Sequence, residues 1–332
     1  MSKIRVGIPG ALTYYLYFPL WQRFLTELGL EVVTSGRTTK ELLDAGVREA
    51  LADVCVPVKV FFGHVMALRD KVDCLFIPRV VCLNRRTVYC PKFLGLPDMI
   101  RHSLPGCPPI IDERMDVREG LAAMVGAYRR IGGYFGRNLV QVLQALARAQ
   151  VVNRRYNRLL QDGCAPQAAM ALASGTGAPA PGREAPADLV FGVLGYPYAV
   201  YDDFLNTGLL SKLRQLRVRA LTMENLAPRL WAARGYDFSK RLFWTFSDRV
   251  VRVANQLFES GNVDGIIHVS VFCCGPDSIT DKMMELKAKG HRTIPFMTLI
   301  IDEHTGETGL TTRLEAFADM VRRRKGATKC SK

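Results

Sequence analysis

Two stretches of this chain, one at its start and one opening at Leu189, repeat the same order of apolar runs, and that order restricts the fold more than any single motif. Arg5-Val-Gly-Ile-Pro-Gly10 reads as a strand, Tyr14, Tyr15 and Tyr17 follow, Leu20 to Leu28 is a helical run, and Glu31-Val-Val-Thr34 is a second strand. Leu189-Val-Phe-Gly-Val-Leu-Gly195 begins the succession again with Tyr196, Tyr198 and Tyr201, a helix over Leu205 to Leu216, and a strand over Val218 to Thr222. Further along each half, a helix leads into a strand opening Val-Asp, at Val72-Asp73 and at Val263-Asp264. Each half is a βαβ succession. Val- and Ile-rich strands without polar alternation belong to parallel sheets covered by helices on both faces. The expected fold is therefore α/β, with two doubly wound parallel-sheet lobes.

The lobes are expected at residues 1–112 and 188–326. Residues 113–172 form a helical insert, with amphipathic helices predicted over Arg118 to Arg130 and Leu139 to Leu160. Small residues, Gly and Pro make 173–187 a flexible linker, and 327–332 a basic tail. A length of 332 residues with 48% hydrophobic content is enough for two cores. The first residues run straight into a strand, and no apolar run reaches the roughly 18 residues of a membrane span, which points to a cytoplasmic protein without membrane association. In that reducing compartment the nine cysteines are read as metal-binding or catalytic rather than as a disulfide framework. The net charge of +14 is spread along helices, and its densest cluster, Arg322-Arg323-Arg324-Lys325, falls where cations suit a helix C-terminus. No nucleic-acid-binding motif accompanies it, so the charge is read as a solvated basic surface suited to an acidic partner or a coenzyme A phosphate.

Three cysteines share one context: Cys55-Val-Pro, Cys90-Pro-Lys and Cys274-Gly-Pro. Proline suits the first helical turn, where its missing N–H would have no partner, so each sulfur is expected at a helix N-terminus, a place that favours thiolate. Close C-x-x-C pairs are lacking, which disfavours zinc; iron–sulfur clusters accept dispersed thiolates, and three of them on a four-iron cluster leave one iron open. Buried apolar cysteine is an equally good account of the same three positions at this point. Cys74 reads as core, Cys164 and Cys330 as surface or tail, Cys107 as a loop residue, and Cys82 and Cys273 as thiols ending the two Val-Asp strands.

Asp302-Glu303-His304 follows a strand predicted over Thr293 to Ile301, the end of a parallel sheet where ligands collect. Glu303 and His304 are candidate acid–base groups; the competing reading has Asp302 or Thr305 capping the next helix. His64 and His268 read as satisfied core or cleft-lining residues. Neither G-x-G-x-x-G nor a P-loop occurs, so ATP hydrolysis is not expected of this chain.

Several blocks together carry a resemblance: Gly7-Ile-Pro-Gly-Ala-Leu12 with Tyr17-Phe-Pro-Leu-Trp21, Cys55-Val-Pro-Val-Lys59 with Gly63-His64, and Cys90-Pro-Lys-Phe-Leu-Gly-Leu-Pro-Asp98. Cys274-Gly-Pro-Asp277, Asp302 to Leu310 and Thr312-Arg-Leu-Glu-Ala-Phe317 complete the set. Over most of its length the chain resembles the 2-hydroxyacyl-CoA dehydratase and benzoyl-CoA reductase superfamily, and more closely the acyl-CoA dehydratase activase-related proteins. The resemblance implies Rossmann-like lobes and a 4Fe-4S cluster on Cys55, Cys90 and Cys274; Lys59, by its own position one turn into the Cys55 helix, is the candidate to neutralise cluster charge. A bridged double cubane, drawing on Cys82, Cys273 and Cys107, is the less favoured variant. It also implies an ATP-hydrolysing activator as electron donor and either a second superfamily subunit or a homodimer as partner. The expected function is a dehydratase-like lyase or low-potential reductase component acting by radical chemistry on an acyl-CoA or other hard-to-reduce substrate; the alternative is a non-catalytic, cluster-carrying electron-transfer protein.

Overall fold

The computed structural model describes residues 3–84, 86–177, 186–226, 241–291 and 293–330, with side chains through 327. The chain divides into two compact units: residues 1–160, 164–179 and 243–245 form the first, and 161–163, 180–242 and 246–332 the second.

In the first unit, β1 (Arg5–Ile8), β2 (Glu31–Thr34), β3 (Cys74–Phe76) and β5 (Ile110–Ile111) make a parallel sheet in the order β2-β1-β3-β5. A separate parallel pair joins β4 (Arg79–Cys82) to β6 (Arg114–Asp116). Helices α1 (Tyr14–Glu27), α2 (Lys40–Glu49), α3 (Val56–Leu68) and α4 (Pro91–Ser103) connect the strands, and α5 (Leu121–Gly133), α6 (Leu139–Gln161) and α7 (Pro166–Ser174) follow them. The helix read at Leu20 in fact starts at Tyr14 and contains Pro19. A proline inside a helix leaves the carbonyl four residues earlier without its donor, here that of Tyr15. The Tyr156 hydroxyl of α6 donates to that oxygen at 2.6 Å, so a distant helix supplies the missing bond. The helix read from Arg118 is split, because Gly120 at φ +95° separates a 3-10 turn (Val117–Glu119) from α5.

The second unit holds β7 (Leu189–Gly195), β8 (Val218–Thr222), β9 (Gly265–Val271) and β10 (Phe296–Ile301), parallel throughout, in the order β8-β7-β9-β10. Its helices are α8 (Pro197–Val200), α9 (Leu209–Gln215), α10 (Thr245–Ser260), α11 (Gly275–Gly290) and α12 (Glu307–Cys330). All seven residues of β9 are buried, as a central parallel strand covered on both faces requires. The helix expected from Leu205 begins only at Leu209. Asp202 caps the amides of Phe204 and Leu205, and Thr207 and Gly208 adopt positive φ, which closes one turn before the helix can start.

Strand for strand, the two sheets have one topology, so the sequence repeat is a structural one. The Val-Asp dipeptide does the same in both: Asp73 accepts the Arg5 amide at 2.7 Å, and Asp264 the Val190 amide at 2.8 Å, fixing the start of the neighbouring strand. The C-terminal basic cluster is structural in part, because Arg322 pairs with Asp188 and Asp319, and Lys325 with Asp264. Of the expected linker, 178–185 lie outside the described residues, whereas Ala173 and Ser174 end α7 before a left-handed Gly175. Among the described residues no helix is long and apolar enough to cross a membrane.

Candidate functional site

In the first unit the thiols lie where the proline rule puts them. Cys55 immediately precedes α3 and Cys90 immediately precedes α4, each with proline in the first turn. Cys90 and Lys92 lie close enough to Cys55 for their charges to act on it. The expected thiolate at Cys55 is nevertheless corrected. Burial raises its pKa above the ordinary thiol value, outweighing the Lys92 ammonium, because α3 is enclosed along nearly its whole length and Cys55 is only 8% exposed. Lys59 is buried one turn into α3. Tyr89, beside Cys90, shares a hydroxyl–hydroxyl hydrogen bond of 2.5 Å with Tyr17.

His64 ties this end of the sheet together. Its Nδ1 is 2.7 Å from the Ser35 hydroxyl and its Nε2 is 3.0 Å from that of Thr38, both on the loop between β2 and α2. Ser35 in turn accepts the Gly10 amide at 2.9 Å, just past β1. A neutral imidazole has one donor and one acceptor, which two hydroxyls satisfy, and burial lowers its pKa to about 4. Gly10 must lack a side chain, because a Cβ would stand 2.8 Å from the Gly36 carbonyl.

In the second unit Cys274 precedes α11, the helix that corresponds in the repeat to α4, so Cys274 and Cys90 occupy equivalent positions. The turn before it is tight: Cys273 is exposed at φ +61°, and Asp277 accepts the Val271 amide. Behind the turn, fully buried His268 lies 3.2 Å from Asp277 and 2.7 Å from Asp281, which also accepts from Thr298 at 2.6 Å. Burial acts to lower the His268 pKa, but the two carboxylates outweigh it and raise it to about 9. These aspartates, like Ser35 and Thr38, escaped the sequence reading; Asp277 stands in the quoted Cys274-Gly-Pro-Asp277 block, the one available signal.

Asp302 holds its own loop, accepting from the His304 amide and the Thr305 hydroxyl at 2.9 Å and donating its amide to Thr305. His304 is exposed, Glu303 half-buried, and Glu307 pairs with Lys212 at 2.5 Å. Cys74 and Cys82 are buried, and Cys107 and Cys164 half-buried; the Cys330 side chain lies outside the described residues.

Among the described residues no group of three or more His, Cys, Asp or Glu side chains converges to hold a metal ion. Of the three cysteines of the expected ligand set, Cys55 and Cys90 belong to the first unit and Cys274 to the second.

Two parallel-sheet, Rossmann-like α/β units, each with a cysteine at a helix start and a fully buried histidine, define a class of α/β proteins. The chain belongs to the family described as the CoA enzyme activase uncharacterised domain, whose model matches residues 5–226, about two-thirds of it. A search of curated proteins found no match. The family corrects the expected function. A CoA enzyme activase stands on the activating side of the pair, so neither the 4Fe-4S dehydratase or reductase component nor the cluster-carrying relay is retained. Of the expected partners, the family description supports a CoA enzyme.

Proposed function

We propose that this chain is an activating component for a CoA-dependent enzyme, with an acyl-CoA dehydratase as its client. The match over residues 5–226 carries the reading, since it includes the whole first sheet, Cys55, Cys90 and His64. The proposed compartment is the cytoplasm, where free thiols such as those at Cys55 and Cys274 stay reduced.

The test is depletion and restoration under anoxia. Extract of the native organism, freed of this chain by antibody, is expected to lose dehydration of a 2-hydroxyacyl-CoA and to regain it when the purified chain is returned. Undiminished dehydration after complete depletion overturns the reading.

A further inference from the structure

Helix α6 has an outer face that solvent alone does not explain. Its buried side is formed by Val142, Ala145, Ala149, Tyr156 and Leu160, and the Tyr156 hydroxyl anchors it to α1. At 100° per residue, the opposite face carries Val140, Leu143, Ala147 and Val151, then Arg154 and Arg158. Val140 is 63% exposed, Leu143 43% and Val151 66%, and Ala147 and both arginines are exposed as well. A solvated helix face normally carries charges of both signs. The whole of α6 has four arginines and no acidic residue, and among the described residues neither Arg154 nor Arg158 has an ion-pair partner.

We propose that this face docks the CoA-dependent client enzyme, through a surface of that partner in which an apolar strip is continued by carboxylates. The identity of the partner rests on the function proposed above; the docking face rests on α6 itself. The order of side chains selects a partner of this kind. A second copy packed parallel would set arginines against arginines, and one packed antiparallel would set them against the apolar strip. A helix lying on an anionic membrane keeps its cations on the polar side of the apolar face, whereas here they continue that face at one end. Carboxylates facing Arg154 and Arg158 pair bidentately, and the net charge of +14 favours approach of an acidic surface.

The experiment has two arms, both with the full chain. In depleted extract, Leu143→Glu with Val151→Glu, and separately Arg154→Glu with Arg158→Glu, are compared with wild type after circular dichroism has shown that both variants fold. Each pair is expected to need at least tenfold more protein to restore dehydration; restoration at wild-type concentration overturns the proposal. In the second arm, Ala147→p-benzoylphenylalanine is photolysed in anoxic extract and the cross-linked peptide is sequenced. A cross-link to an acid-rich segment of a CoA-thioester enzyme, lost in the Arg154→Glu, Arg158→Glu background, supports the proposal. Cross-links only between copies, none at all, or charge-dependent sedimentation with phosphatidylglycerol vesicles instead overturn it. If wild type fails to restore dehydration while the cross-link to such an enzyme forms, the dehydratase assignment falls and the docking face stands.

Discussion

His64 and His268 are both buried completely, yet they load the pH dependence of stability in opposite directions. His64, lowered by burial to about 4, leaves the unfolded chain binding the extra proton. Its contribution is present above the unfolded value of about 6.5 and is lost as the pH falls from there towards 4. His268 stands at about 9 because Asp277 and Asp281 overcome the opposing effect of burial. Its contribution is complete below about 6.5 and is lost as the pH rises towards 9. At about 1.4 kcal/mol for each tenfold change in proton affinity, each limb is worth up to about 3 kcal/mol. The urea midpoint is therefore expected to peak near pH 6.5, and His268→Gln to lower that peak and flatten the alkaline limb. An alkaline limb that keeps its slope in this variant would refute the assignment. The apolar neighbours of both histidines announce burial in the sequence. Their partners are not announced: Ser35 is 29 residues from His64, and Asp281 lies 13 beyond His268 on the next helix.

At the scale of elements, α2 and α3 meet backbone to backbone. A Cβ on Gly63 would lie 1.9 Å from the Leu42 carbonyl, and one on Gly46 the same distance from that of Lys59. Neither backbone can yield without parting the helices, so Gly63→Ala is expected to destabilise the protein by on the order of 2–3 kcal/mol and to displace α3, the helix that opens at Cys55. Urea unfolding checks the first effect, and a loss below about 0.5 kcal/mol contradicts the close packing. The strands of the repeat were legible because parallel strands advertise themselves as continuous apolar runs. Helix starts were less so. Tyr14 opens α1 despite Pro19 because Tyr156 arrives from 141 residues away, and α9 starts late because Asp202 and Thr207 close a turn first.

For the whole molecule, charge has a consequence that no single arginine shows. If the chain activates an acidic client, a net charge of +14 steers the encounter, and salt weakens it because the Debye length shrinks from about 10 Å at 0.1 M to about 3 Å at 1 M. Half-maximal restoration of dehydration is therefore expected to need several-fold more protein at 0.5 M than at 0.05 M sodium chloride. A flat salt response counts against steering by charge. What the sequence determined by itself is the duplicated α/β order, its parallel sheets and the three cysteines at helix starts, because strand periodicity and the proline rule are properties of neighbours along the chain. Tertiary structure decided the rest: Cys55 is held back from ionising by the enclosure of α3, the buried histidines find opposite partners, and one face of α6 carries valine, leucine and arginine outward. Burial and the meeting of remote side chains depend on which elements pack together, and nearest neighbours in sequence do not record that.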